Sequence, residues 1–178
     1  FLLCLFDPCC PGLIFNLQEV NAEGLNGLRE ADYGLGFKMP TMPELVPLFC
    51  SCARRIPFPC SREKPTVEEQ TAMEIMRRFP FGNTAVLYVP EAIFVQDNPD
   101  LLDGRVSMNQ RELESKLGTY QEAGVVFSDD KKIRFVPRGA KTGLQSYLDL
   151  ARNPEVIALT ASRENAERLS AIAQHYGG

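Results

Sequence analysis

The sequence predicts an α+β fold in which four to six helices pack on a mixed, partly antiparallel sheet. Helix-like and strand-like patterns are interleaved along the chain, and well-capped amphipathic helices start near residues 66, 109 and 162. Two strand-like segments within residues 124–136 flank a short turn, which indicates an antiparallel hairpin. Because strands of a parallel sheet need long crossover connections, a hairpin favours a mixed sheet over a purely parallel one.

Residues 1–60 are interpreted as a poorly defined, cysteine-containing N-terminal segment with a helix near residues 42–54. Thr41 and Glu44 have the spacing of a capping box, which satisfies two amides at a helix start. The cysteines lack the spacing of structural zinc sites, so we expect unpaired thiols rather than a metal site or disulfides. All six cysteines lie in this segment: Cys4, Cys9, Cys10, Cys50, Cys52 and Cys60. The chain begins at Phe1, which we interpret as a truncated or processed start.

A globular α+β domain is predicted over residues 66–178, after a linker. Three prolines between Ile56 and Pro65 interrupt all periodicity, as is typical of linkers. Thr66 and Glu69 then repeat the capping-box pattern, which predicts a helix over residues 67–79. The β-branched and aromatic content of the next segments predicts strands over 84–89 and 92–95, a loop over 97–104 and an edge strand over 105–108.

The second half of this domain is predicted to contain three more helices and three more strands. Asn109 is a good N-cap for a helix that uses Leu113 and Leu117 and stops at Gly118. The hairpin follows, and a helix then ends near Asn153, before a proline. We expect a buried strand over Val156–Thr160, and a final amphipathic helix that begins at Ser162.

Asp100, Glu114 and Lys116 are the strongest catalytic candidates. Their order resembles the acidic pair and lysine of restriction-endonuclease-like nucleases, in which the carboxylates hold Mg²⁺ and the lysine stabilises charge. Those enzymes carry the acidic-x-Lys element on a strand, whereas Asn109 caps a helix here, so ordinary surface pairing is favoured. Asp97, Asp100 and Asp103 are weak candidates for a metal site, against which turn and capping roles are favoured. We therefore expect no bound metal and no cofactor.

The net charge and the short apolar runs of the chain argue against nucleic acids as partners and against a membrane span. The formal net charge is −4, which argues against a general nucleic-acid binder, since such proteins need a basic face. No apolar run approaches the roughly 18–20 residues that span a bilayer, so we expect no membrane span. A protein partner is favoured over a nucleic acid, and a cytoplasmic location is favoured.

Five segments of the chain resemble uncharacterised proteins of small-genome archaea. They are residues 39–48, 95–100, 104–108, 126–130 and 133–137, and the resemblance extends over about residues 35–176. It brings no known activity with it. Some of those proteins continue into a C-terminal C-type-lectin-like variable domain, which implies that the present domain is an accessory or scaffold portion.

The leading hypothesis is a non-enzymatic binding or scaffold module. Aromatic-rich strands are present, whereas each catalytic pattern fails a test of spacing or context. The alternative is a metal-dependent hydrolase or nuclease that uses Asp100, Glu114 and Lys116.

Overall fold

A computed structural model describes residues 2–4, 14–16, 27, 29, 38–56, 65–77, 82–139 and 146–177. The strands are β1 (Leu2–Cys4), β2 (Ile14–Asn16), β3 (Thr84–Val89), β4 (Ala92–Asp97), β5 (Asp100–Leu102), β6 (Arg105–Ser107), β7 (Leu117–Glu122), β8 (Val125–Ser128) and β9 (Ile133–Pro137). The helices are α1 (Met42–Arg55), α2 (Val67–Arg77), α3 (Gln110–Ser115), α4 (Tyr147–Leu150), α5 (Pro154–Thr160) and α6 (Arg163–Gly177).

The main sheet has five strands within the described residues, in the order β3-β4-β9-β8-β7. Each neighbouring pair in it is antiparallel. Strands β5 and β6 form a separate small hairpin, and β1 pairs with β2. The α+β fold with helices packed on a sheet is therefore confirmed, and the described sheet is antiparallel throughout instead of mixed.

Tight turns set the register of the hairpins. The predicted hairpin within residues 124–136 is confirmed as β8 and β9, with Val126 opposite Phe135. Strands β7 and β8 are joined by Ala123 and Gly124, whose φ angles are +49° and +85°. Positive φ at both central residues is the requirement of a type I′ turn, whose twist matches that of the strands it joins.

Helices cover one face of the sheet, and α3 covers part of the other. On the first face, which we call the helix face, buried side chains from β4, β8 and β9 pack against α5 and α6. This cluster consists of Ile93, Val95, Val125, Phe127, Val136, Ile157, Ala158 and Ala166. On the opposite face Leu113 of α3 packs with Ala92, Phe94 and Ile133. Strand β4 is therefore buried on both faces.

Helices α1 and α2 pack against each other through a cluster of their own, and α1 also contacts α5 and α6. The cluster is formed by Leu45, Leu48, Cys52, Ala72 and Ile75. The backbone N–H of Thr41 donates to Glu44 at 2.7 Å. Burial raises the pKa of Glu44, but the hydrogen bonds from Thr41 and the charge of Lys38 outweigh it, so this pKa lies below its ordinary value. In the described part of the chain, no helix is long and apolar enough to cross a membrane.

The other helix starts are confirmed where the structure describes them. Thr66 and Glu69 exchange both capping-box hydrogen bonds at the start of α2. The side chain of Asn109 accepts from two amides of α3. At the start of α6 the Ser162 hydroxyl accepts from the Asn165 amide at 3.1 Å. The linker predicted between Ile56 and Pro65 lies largely outside the described residues.

Three local predictions are wrong. Val156–Thr160 is not a strand but most of helix α5, because Asn153 caps the Glu155 amide at 2.8 Å and Pro154 occupies the first helical turn. Leu117 does not end a helix. It opens β7, which pairs with β8. The predicted loop over 97–104 contains β5 and the turn into β6.

Candidate functional site

The side chains of Asp100, Glu114 and Lys116 are exposed, and the three residues lie at different positions in the secondary structure. Asp100 opens β5, whereas Glu114 lies near the end of α3 and Lys116 immediately follows that helix. Glu114 accepts a hydrogen bond from Gln110 at 2.8 Å. The Lys116 ammonium lies 2.6 Å from Glu112. Glu114 and Lys116 thus make the contacts typical of exposed side chains spaced four residues apart.

The Asp100 carboxylate and the Lys116 ammonium interact through their opposite charges. The hydrogen bond to Glu112 is the main cause of the raised pKa of Lys116, and the charges of Glu112, Asp100 and Asp130 add to it. A lysine with a raised pKa stays protonated at neutral pH, so Lys116 can stabilise negative charge but is poorly suited to act as a general base.

Of the predicted metal candidates, Asp97 is engaged in a buried network. Both of its carboxylate oxygens accept from the Arg134 guanidinium, at 2.5 and 2.8 Å. Thr84 donates to the same carboxylate at 2.6 Å, and its hydroxyl in turn accepts from the Met42 amide at 2.8 Å. This network joins the start of α1 to β3, β4 and β9.

The remaining metal candidates lie on the small hairpin. Asp103 occupies the turn between β5 and β6, with a φ of +50°, and Gly104 follows at +74°. Asp103 therefore fills a turn role. Among the described residues, no group of three or more acidic, histidine or cysteine side chains is placed to hold a metal ion.

Cys50 and Cys52 are buried on α1, and Cys52 carries a free thiol. Burial raises the pKa of Cys52 to about 11, against an opposing effect from the charge of Arg55. Since the thiolate is the reactive form, Cys52 is a poor nucleophile at neutral pH.

Strand β3 was predicted from the sequence, but its position at an edge of the main sheet was not. Val89 and Ala92 flank a two-residue turn, so they exchange hydrogen bonds, and every second pair along the hairpin does the same. The N–H and C=O groups of Thr84, Val86 and Tyr88 therefore point away from β4. No strand in the described ranges pairs with this outer edge.

The β3 side chains extend the apolar surface of the helix face outward. Val86 lies opposite Val95, and Tyr88 lies opposite Ile93. Val95 is 2% exposed and Ile93 6%, whereas Val86 is 36% exposed and Tyr88 72%. The apolar layer of the core thus continues onto an accessible strand. The six uncharged residues of β3 are a sequence signal for a strand, but they do not indicate its place at the edge of the sheet.

The opposite edge of the sheet, β7, is less regular than β3. Its register against β8 shifts between Leu117 and Gln121, and such a bulge hinders pairing with a further strand. Lys131 lies 4.8 Å above the Tyr120 ring, and the strand ends in the charged residue Glu122. The two edges therefore differ, because β7 is irregular and ends in a charge whereas β3 is regular and uncharged.

The outer edge of β3 and the apolar side chains beside it thus form a candidate binding surface among the described residues. Comparisons of the chain with protein-family models, with curated proteins and with solved structures give no match.

Proposed function

We propose that the protein is a non-enzymatic binding module that takes up an extended polypeptide segment along the outer edge of β3. The single observation that carries this proposal is that no described strand pairs with the outward-facing backbone groups of Thr84, Val86 and Tyr88. A strand edge of this kind offers main-chain hydrogen bonds to a partner strand, whose side chains then supply specificity.

Exposure and composition of β3 support the proposal. Tyr88 is 72% exposed, and a tyrosine gives a large contact area with a polar end. Sheet proteins usually protect an edge with lysine, proline or a bulge, and β3 has none of these. An extended, uncharged segment of a protein partner is the ligand that fits such an edge.

Selection of peptides from a randomised phage-displayed library on the immobilised protein tests the proposal. We expect enrichment of uncharged peptides rich in β-branched and aromatic residues, because these favour the extended conformation. The selected peptides should bind at least 10-fold more weakly to Val86→Lys, since a lysine on the edge opposes strand addition.

Val106→Lys is the matched control for that experiment. Val106 lies on β6, is 40% exposed and receives the same added charge. Binding to this variant should equal binding to the wild type. Selection that enriches no peptide family, or peptides that bind all three proteins equally, would contradict the proposal.

The hydrolase or nuclease alternative has its own discriminating experiment. Incubation of the protein with DNA and Mg²⁺ or Mn²⁺ should give no cleavage, because no group of three or more acidic, histidine or cysteine side chains among the described residues is placed to hold the metal ion. Cleavage by the wild type that is lost in Asp100→Ala would favour the alternative and count against a non-enzymatic module.

A further inference from the structure

We infer that the occupant of the β3 edge is a second copy of this chain, which pairs its own β3 antiparallel to the first. This inference rests on the proposed function and names the partner. The result is a two-fold symmetric dimer in which the two five-stranded sheets join into one continuous sheet.

The backbone geometry of β3 is self-complementary. The outward-facing groups belong to Thr84, Val86 and Tyr88, which are evenly spaced around Val86. A two-fold axis at Val86 places Thr84 opposite the partner's Tyr88 and each Val86 opposite the partner's Val86. Every outward N–H and C=O of the three residues then has a partner, as an isologous interface requires.

Charge favours a second copy at this edge over other parts of the surface. The chain has a formal net charge of −4, so most approaches of two copies bring like charges together. β3 itself contains no ionisable carboxylate or basic side chain, from Thr84 to Val89. Two β3 strands can therefore pair without placing like charges opposite each other.

The apolar layer also continues across the proposed interface. Val86 and Tyr88 lie on the helix face, beside Val95 and Ile93 of the buried cluster. Pairing with a second β3 places Val86 against the partner's Val86, and Tyr88 against the partner's Thr84. The apolar surface that the monomer leaves at this edge is thereby removed from water.

The length of β3 sets the expected strength of association. Six residues of strand extend over about 20 Å, which is short for an interface between folded domains. A contact of this size falls in the class of weak, reversible associations. We therefore expect dissociation in the micromolar range and a monomer at high dilution.

Sedimentation equilibrium over roughly 5 to 500 µM tests the inference, with association expected in the micromolar range. The mass of the wild type should rise from 19.9 kDa toward twice that value. Val86→Lys should weaken association at least 10-fold, because it places two lysines opposite each other at the axis. Tyr88→Lys should also weaken it at least 10-fold, because it puts a charge in place of the tyrosine that packs against the partner's Thr84. Both sites are accessible, so the variants should fold, which circular dichroism can verify.

Val106→Lys is again the control and should associate like the wild type. A wild type that stays monomeric throughout, or association that both β3 variants retain, would overturn the inference. Either result leaves the peptide selection as a separate test of the proposed function. If peptides bind the edge of a strictly monomeric protein, only the identity of the partner is wrong.

Discussion

At the scale of single residues, the buried ion pair of Arg134 and Asp97 is the contact with the largest expected effect on stability. Arg134 is fully buried and Asp97 is 8% exposed. The guanidinium also donates to the Lys131 carbonyl at 3.0 Å, while its Nε has no hydrogen-bond partner within the described structure. The pair aligns β4, β9 and, through Thr84, the start of α1.

Arg134→Met should lower the free energy of unfolding by about 3–5 kcal/mol, because it leaves the Asp97 charge buried without its cation. Urea denaturation measures this loss. Arg163→Met is the matched control, since Arg163 forms an exposed pair with Glu167 and its removal should change stability by less than about 1 kcal/mol.

A double variant separates the cost of a buried charge from the loss of the pair itself. In Arg134→Met with Asp97→Leu both charges are gone, so the protein should be more stable than Arg134→Met alone. A double variant as unstable as the sum of the two single changes would contradict this interpretation.

At the scale of elements, turns and caps determine where strands and helices begin. Five non-glycine residues in the described ranges have positive φ, and Ala123 is one of them, at +49°. Alanine is strained in this region, whereas asparagine tolerates it and Asn-Gly is the preferred pair for a type I′ turn. The β7–β8 hairpin therefore forms despite an unfavourable residue in its turn.

Ala123→Asn should raise the free energy of unfolding by about 0.5–1 kcal/mol, since it removes that strain at an exposed position. Ala123→Val is the control of opposite sign and should lower it by about 1–2 kcal/mol, because a β-branched residue fits positive φ least well. Thermal and urea unfolding report both changes. Equal effects of the two substitutions would argue against a type I′ turn at this position.

Elements with strong local signals were predictable from sequence, and elements set by tertiary contacts were not. Thr66 and Ser162 place helix starts correctly because caps act within one turn. Val156–Thr160 has strand-like composition, yet the cap at Asn153 and packing on the sheet make it helical. β7 was missed because its pairing with β8 outweighs the short helical pattern that ends near Leu117.

The geometry of the candidate site was likewise not predictable from the sequence, because it depends on tertiary contacts. Asp100, Glu114 and Lys116 can be recognised in the sequence, but their side-chain partners depend on helix spacing and tertiary placement. An accessible strand edge is harder to predict, because it is defined by the absence of a neighbour in the fold. The uncharged composition of β3 indicated a strand and left its position in the sheet open.

At the scale of the whole molecule, the two edges of the main sheet are unequal. β7 carries a bulge and a charged end, whereas β3 is uncharged and shows outward-facing backbone groups. Helices cover the middle strands on the helix face and leave Val86 and Tyr88 accessible. Within the described part of the main sheet, β3 is thus the regular, uncharged edge on which a further strand can be added.

Residue-resolved amide hydrogen exchange as a function of protein concentration tests this edge most directly. The amides of Val86 and Tyr88 should exchange quickly at about 5 µM and more slowly at about 500 µM, when the weak dimer forms. The Leu87 amide, which bonds to β4, should be protected at both concentrations. Exchange at Val86 and Tyr88 that is equally fast at both concentrations, or as slow as at Leu87 throughout, would contradict an accessible edge that pairs with a second copy.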